Sequence, residues 1–386
     1  MKRLVFHLVL ILCITQNVNG QLTELCSLEV NGKEYHNRKI LLHDNRLYAT
    51  ASYGLYLCNL DDGNARKWEK LPLSDDVIVD FDVRGDTIIS ITDSFLIVST
   101  DGGKTITRTS IDVIVPGWNK EEPIVLTSLA IHPHTAMKFY VAFDRGISLT
   151  TDGGDSWEAS TTKNLDRLYY NPLDENNLIG SYTGGPHGFT YVHYSVDGGV
   201  NWGNIEGGIP GQCELQKIAF HPTDKNIAIA CGLNIYSISY DQGKSWTPIN
   251  QEDMPENIGI LPLVYLDDIV YDSRKDDVLY GADWTAQYEG KVRVLRSVDG
   301  GFSWEVFYSI DDASSVTCIS LDKNILAIDT SKGNVYLLDV DAVDTSISTV
   351  EDTPHAVNIH YDLLGRPVAN PTRGIYIKDG KKVAIE

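Results

Sequence analysis

Eight side chains inside this 386-residue sequence could act on a ligand together. Trp118, His187, Trp284 and Tyr288 supply aromatic faces, and Asp144, Arg145, Asp283 and Glu289 supply charge of both signs. Aromatic rings stack on the C–H faces of sugars while carboxylates and a guanidinium hydrogen-bond the ring edge, so the set suits a glycan. Two opposed carboxylates, one protonated and one ionised, could also hydrolyse a glycoside at the right separation. Each residue has a plainer reading as well: a loop tryptophan commonly folds onto its own sheet, and His187 in a glycine-rich loop could simply order it. No cysteine or histidine spacing fits a metal, so neither metal nor cofactor is expected.

Most of these residues sit in IVPGWNKEEP (114–123), YTGGPHGFTY (182–191) and ADWTAQYEGK (282–291), with LSDDV (73–77) and the stretch 250–268 as further long connections. Other connections are minimal, such as SYG at 52 and GLN at 232. What must position the long ones is a repeat. Thr150–Trp157 reads TTDGGDSW, Ser195–Trp202 SVDGGVNW, Ser239–Trp246 SYDQGKSW and Ser297–Trp304 SVDGGFSW. STDGGKTI at Ser99–Ile106 replaces the Trp, and NLDDGNARKW at Asn59–Trp68 carries two extra residues. The spacing suits one four-stranded blade per copy, at about 40 to 50 residues. Before each copy runs strand, polar turn, strand, loop, strand, and the same grammar returns at 316–340 without a box, making seven units.

The residue types of the box suit a tight hairpin. Glycines 103, 154, 199, 243 and 301 take a backbone position that a side chain would obstruct, and Asp101, Asp152, Asp197, Asp241 and Asp299 can accept backbone N–H bonds inside the turn. The Trp returns a large ring to pack beside it. These aspartates are therefore read as structural, because a catalytic set is normally single and this one recurs in blade after blade. The last unit lacks an outer strand, and residues 22–31, which belong to no unit, are expected to supply it and close the ring.

The boxes resemble those of the Asp-box, or bacterial neuraminidase repeat, propellers, a group containing sialidases, xyloglucan-cleaving glycosidases, sortilin-type receptors and a photosystem assembly factor. The resemblance covers roughly residues 22–340 and implies an all-β fold, a seven-bladed β-propeller with Asp-box hairpins. It also implies that the boxes lie on the face away from any ligand. It does not choose among activities. No Arg-Ile-Pro element of the sialidase type occurs, and the xyloglucan-cleaving relatives pair two propellers where this chain has one. The tail YDLLGRPVANPTRGIYIKDGKKVAIE, from Tyr361, is similar to type IX secretion sorting tails through Tyr361, Asp362, Gly365, Arg366, Gly374, Tyr376 and Lys382. It reads as a small C-terminal β-hairpin about the turn NPTRG.

Residues 1–20 combine Lys2 and Arg3 with an apolar run from Leu4 to Ile14, the pattern of an export signal cleaved before Gln21. Leu12 before Cys13 argues against lipid attachment, and no later segment is long and apolar enough to be a transmembrane segment. The expected organisation is signal peptide 1–20, propeller 21–340, linker 341–358 and sorting tail 359–386, with the chain secreted or on the outer cell surface. Formal charge is −21, from 32 basic and 53 acidic residues, which repels nucleic acid and anionic lipid. Cys26, Cys58, Cys213, Cys231 and Cys318 remain after the signal, and Cys213 with Cys231 could either pair or be buried thiols. The expectation is a monomeric, non-catalytic propeller binding a glycan or an extracellular protein through its loop-rich face. The alternative is a glycoside hydrolase of sialidase-like or xyloglucanase-like type.

Overall fold

The computed structural model describes residues 17–18, 22–25, 39–51, 53–73, 75–115, 124–161, 165–184, 189–210, 213–249, 266–283, 290–312, 314–347, 360–361, 367–368, 374–378 and 381–385. The chain divides into two compact units, 1–340 and 341–386.

The first unit is a seven-bladed β-propeller. Six blades are four-stranded antiparallel sheets in simple chain order. Blade 1 runs Ile40–His43, Arg46–Thr50, Leu55–Asn59, Trp68–Lys70, and blade 2 Asp80–Arg84, Thr87–Ile91, Phe95–Ser99, Thr107–Ser110. Blade 3 is Leu126–Ile131, Phe139–Phe143, Gly146–Thr150, Glu158–Thr161, and blade 4 Arg167–Tyr170, Leu178–Gly184, Phe189–Ser195, Gly203–Asn204. Blade 5 is Glu214–Phe220, Ala228–Leu233, Ile235–Ser239, Thr247–Pro248, and blade 6 Leu266–Tyr271, Leu279–Asp283, Val292–Ser297, Glu305–Ile310. Blade 7 contributes Val316–Asp322, Ile325–Thr330 and Val335–Asp339. Its outer strand is Leu22–Leu25, antiparallel to Val335–Leu338, with Asn17–Val18 paired outside it. The ring is therefore closed by the N-terminal segment; residues 26–31 lie outside the described residues.

The apolar alternation of the strands fills the spaces between blades. Phe81, Val83, Ile88 and Ile97 of blade 2 pack on Tyr48 and Leu55 of blade 1, and Phe139, Val141 and Phe143 of blade 3 pack on Ile89, Ile91 and Leu96 of blade 2. First strands of neighbouring blades touch one another around the axis. Polar side chains of these strands stitch the contacts. Asp80 Oδ2 accepts Leu129 N at 2.9 Å, Ser128 Oγ accepts Leu168 N at 3.1 Å, Asp268 Oδ2 accepts Ile319 N at 3.0 Å, and Ser320 Oγ accepts Leu42 N at 2.8 Å.

Between the third and fourth strands of blades 2 to 6 stands the repeated turn. In blade 6, Ser297 Oγ donates to Asp299 Oδ1 at 2.8 Å and accepts Gly301 N at 2.8 Å, while Asp299 Oδ1 accepts Ser303 N at 2.8 Å and Trp304 Nε1 donates to Gly301 O at 3.2 Å. Blades 3, 4 and 5 repeat this bond for bond, and blade 2 repeats it without the indole. Side-chain and backbone donation from Ser156 holds the Asp152 carboxyl down to about 2, and backbone and side-chain donation from Thr105 holds Asp101 down, also to about 2. Gly301 has φ +93°, and a Cβ there would stand 2.5 Å from the Tyr236 hydroxyl of blade 5, so the glycine serves both the turn and the blade packing.

On the same end, the turns between first and second strands use one device in three chemistries. His132 Nδ1 accepts His134 N and His221 Nδ1 accepts Thr223 N, both at 3.2 Å; Asn171 Oδ1 and Asp272 Oδ1 accept Leu173 N and Arg274 N, both at 3.0 Å. An imidazole thus stands where an Asx side chain stands in the next blade. Its Nε2 reaches a carboxylate of the following blade, Glu175 at 3.2 Å from His132 and Asp277 at 3.3 Å from His221.

The four described cysteines, Cys58, Cys213, Cys231 and Cys318, are free thiols, so Cys213 and Cys231 do not pair. The second unit differs from the hairpin expected around NPTRG. Its hairpin joins Gly374–Lys378 to Lys381–Ile385, and His360–Tyr361 pairs with Pro367–Val368 and, through Tyr361, with Ile377. The sequence Asp379-Gly380 between the two longer strands is the stronger two-residue hairpin signal. The expected linker also begins as the helix Val340–Ile347.

Candidate functional site

The first strand of every blade starts at the end opposite the repeated turns. That end is formed by the connections between second and third strands and between blades. Of the eight residues read as a glycan site, Trp118, His187, Trp284, Tyr288 and Glu289 lie outside the described residues. Asp144 and Arg145 form the tight turn of blade 3 at this end, half-exposed, with Asp144 Oδ1 accepting Val125 N at 3.3 Å and Arg145 Nε 3.9 Å from Asp144 Oδ2. Asp283 is buried and ion-paired with buried Arg293 at 3.0 Å. It holds two strands of blade 6 together across a low-dielectric gap. Removing one partner of such a pair costs about 3–5 kcal/mol.

A cluster that the sequence reading passed over stands at the heads of the first strands. Asp80 Oδ1 takes Lys39 Nζ at 2.7 Å, which ties blade 1 to blade 2 while Oδ2 ties in blade 3. Asp268 does the same further round: Oδ1 takes Lys217 Nζ of blade 5 at 3.2 Å and Oδ2 the backbone of blade 7. Between blades 4 and 5, Gln216 O accepts Arg167 Nη1 at 3.2 Å and the Tyr169 hydroxyl at 3.3 Å. Lys39 and Lys217 stay about two-fifths exposed and Arg167 is exposed, so these cations are oriented by neighbours yet open to solvent.

Two carboxyls here are perturbed upward. Burial, then the neighbouring charges of Asp268, Glu214 and Asp283, push Asp267 up to about 7. Burial also raises Asp166, whose Oδ2 accepts Thr183 N at 2.8 Å while its buried Oδ1 has no hydrogen-bond partner. An orphaned buried carboxylate oxygen is uncommon in folded proteins and calls for an explanation. The signal for the cluster was present in the repeat, since Asp80 of IVDFDV and Asp267-Asp268 of YLDDIV head equivalent strands. Among the described residues no group of His, Cys, Asp and Glu is arranged to hold a metal ion.

A seven-bladed propeller with a mixed-charge axial cluster at its loop end is the class these observations define. No protein-family profile matches the sequence, and no curated protein matches it. Among solved structures the fold is similar to a GH74 xyloglucanase from Xanthomonas campestris, with TM-score 0.58, 14% identity and coverage of 78% of this chain and 51% of that one. This chain spans about half the length of that enzyme. It is also similar to YCF48 bound to D1 peptide, with TM-score 0.53, 16% identity and coverage of 80% and 97%, and to YCF48 from Cyanidioschyzon merolae, with TM-score 0.51, 16% identity and coverage of 79% and 94%. At these identities the likeness is one of fold.

Proposed function

We propose that this chain is an exported, non-catalytic binding module that takes an extracellular glycan or protein on its loop end, centred on the axial cluster. One contrast supports the reading. In blades 2 to 6 the repeated-turn aspartates are each used inside their own turn, whereas at the loop end Arg167, Lys39 and Lys217 face solvent and Asp166 keeps an unpaired oxygen. Polar groups already oriented by neighbours lose little freedom on meeting a ligand, which favours recognition. Export rests on the basic-apolar N-terminus and the Tyr361–Glu386 tail. A glycan and extracellular-protein array with wild type, Arg167→Ala and Trp284→Ala tests it: a ligand bound by wild type and lost by at least tenfold in either variant is expected. Binding untouched by both variants would place the ligand elsewhere.

Asp267 favours a second reading, a glycoside hydrolase. A carboxyl held near 7 is protonated enough at neutral pH to donate to a leaving group, and Glu214 and Asp283 are close enough to influence it. Incubation with xyloglucan and sialylated glycans should release sugar under that reading, with loss in Asp267→Asn. The binding reading expects none from either protein.

A further inference from the structure

We infer that the loop edge of blade 2 is a docking surface for a basic amphipathic helix on a partner protein. The inference rests on the loop-end reading above and narrows its ligand to polypeptide.

Four large apolar side chains stand exposed along this edge: Val77 at 57%, Val79 at 39%, Phe95 at 38% and Val113 at 47%. Backbone pairing places Val79, Phe95 and Val113 in a row, with Val77 two residues before Val79. Val79 N donates to Ile91 O, beside the head of the first strand; Thr92 N donates to Phe95 O across the next turn; Ser110 pairs opposite Phe95; and Ile111 N donates to Ser94 O, starting the single helical turn Ile111–Ile114 that carries Val113. The row thus crosses the edge from the first strand to beyond the fourth. Nothing in the core requires it. Ile78, between Val77 and Val79, and Ile114, after Val113, already occupy the inward positions and are buried, so polar residues could stand outside at no cost to packing. Among the described residues, the same edge of blade 7 carries no exposed large apolar side chain and that of blade 5 only Leu233.

Charge and length choose the occupant. Asp76, Asp93 and Asp112 are exposed along the same row, interleaved with the apolar groups, while Asp75 beside them is paired with Lys70. A second copy of this chain, at −21, would set such acids against like charge. A partner with Lys or Arg flanking an apolar stripe meets both features. Four strands about 4.8 Å apart make a row of about 14 Å, which roughly ten helical residues at 1.5 Å each would cover. Amphipathic helices bind through i, i+3/i+4, i+7 anchors on such a surface.

The test titrates the full chain with a fluorescent Leu/Lys amphipathic helical peptide of about four turns at ~0.15 M salt, where exposed charges alone are strongly screened. Saturable binding to wild type is expected, weakened at least tenfold in Phe95→Ser/Val113→Ser and in Val77→Ser/Val113→Ser. Val200→Ser/Phe302→Ser, altering exposed residues of the repeated turns, should bind as wild type does. No saturable binding, or equal loss in the control pair, overturns the proposal. So does unchanged affinity in both ridge variants. If the ridge fails while Arg167→Ala abolishes binding to an array ligand, the loop-end reading stands without it.

Discussion

Asp267 and Asp152 show what position does to one side-chain type. Asp152 is exposed and is held near 2 by bonds that suit its charge, whereas Asp267 is half-buried beside other carboxylates and rises to about 7. The signs of their effects on stability are opposite. Asp152 stabilises the fold above the ordinary carboxylate pKa, and that contribution disappears as pH falls toward 2. Asp267 binds its proton more tightly folded than unfolded, so its ionisation weakens the fold progressively as pH rises from about 4 through about 7. Asp267→Asn should therefore melt several degrees higher than wild type at pH 8 and equally at pH 3, as read by calorimetry. A difference that persists unchanged at pH 3 would assign Asp267 a packing role instead. None of this was readable from residue type, because Asp267 and Asp152 differ only in surroundings. Asp283 makes the same point: chosen as a sugar contact from its place beside Trp284, it is committed to Arg293.

The element that the sequence announced best was the repeated turn, because every bond in it is local. Ser, Asp, Gly and Trp lie within eight residues, so their types alone imply their contacts. Ile106 is informative because it stands where the Trp should be. It is 37% exposed, while Trp304 is 3% exposed and bonded to both Gly301 O and the Tyr236 hydroxyl of the preceding blade. Trp304→Ala should cost about 3–5 kcal/mol, and Ile106→Ala less than about 1 kcal/mol, measured by urea unfolding. Equal costs would mean that the indole does not tie blade to blade. The stitches at the strand heads were hidden for the converse reason. Asp80 with Leu129, and Asp268 with Ile319, are 49 and 51 residues apart, and no local pattern names such a partner.

For the molecule as a whole, blade count and ring closure were legible from spacing, and the ligand was not. A ring needs its units in number and its ends in register, both of which periodicity reports, while recognition depends on side chains brought together from separate blades. The closing strand is short, four residues, and carries buried Leu22 and Leu25. Replacing Leu22 and Leu25 by Asp should open blade 7, expose the edge of Val335–Asp339 and produce aggregates or dimers in light scattering. A monodisperse monomer with unchanged melting would show that the strand is dispensable. The pairing of Leu22–Leu25 with Val335–Leu338 also sets a rule on timing. Leu22–Leu25 must wait for Val335–Leu338, so no product of synthesis shorter than this can complete the ring, and a chain truncated before residue 335 lacks the strand that would seal it. Completion of the ring is thus sensed by geometry, and a closed propeller is proof that its chain was made at least as far as the sealing strand.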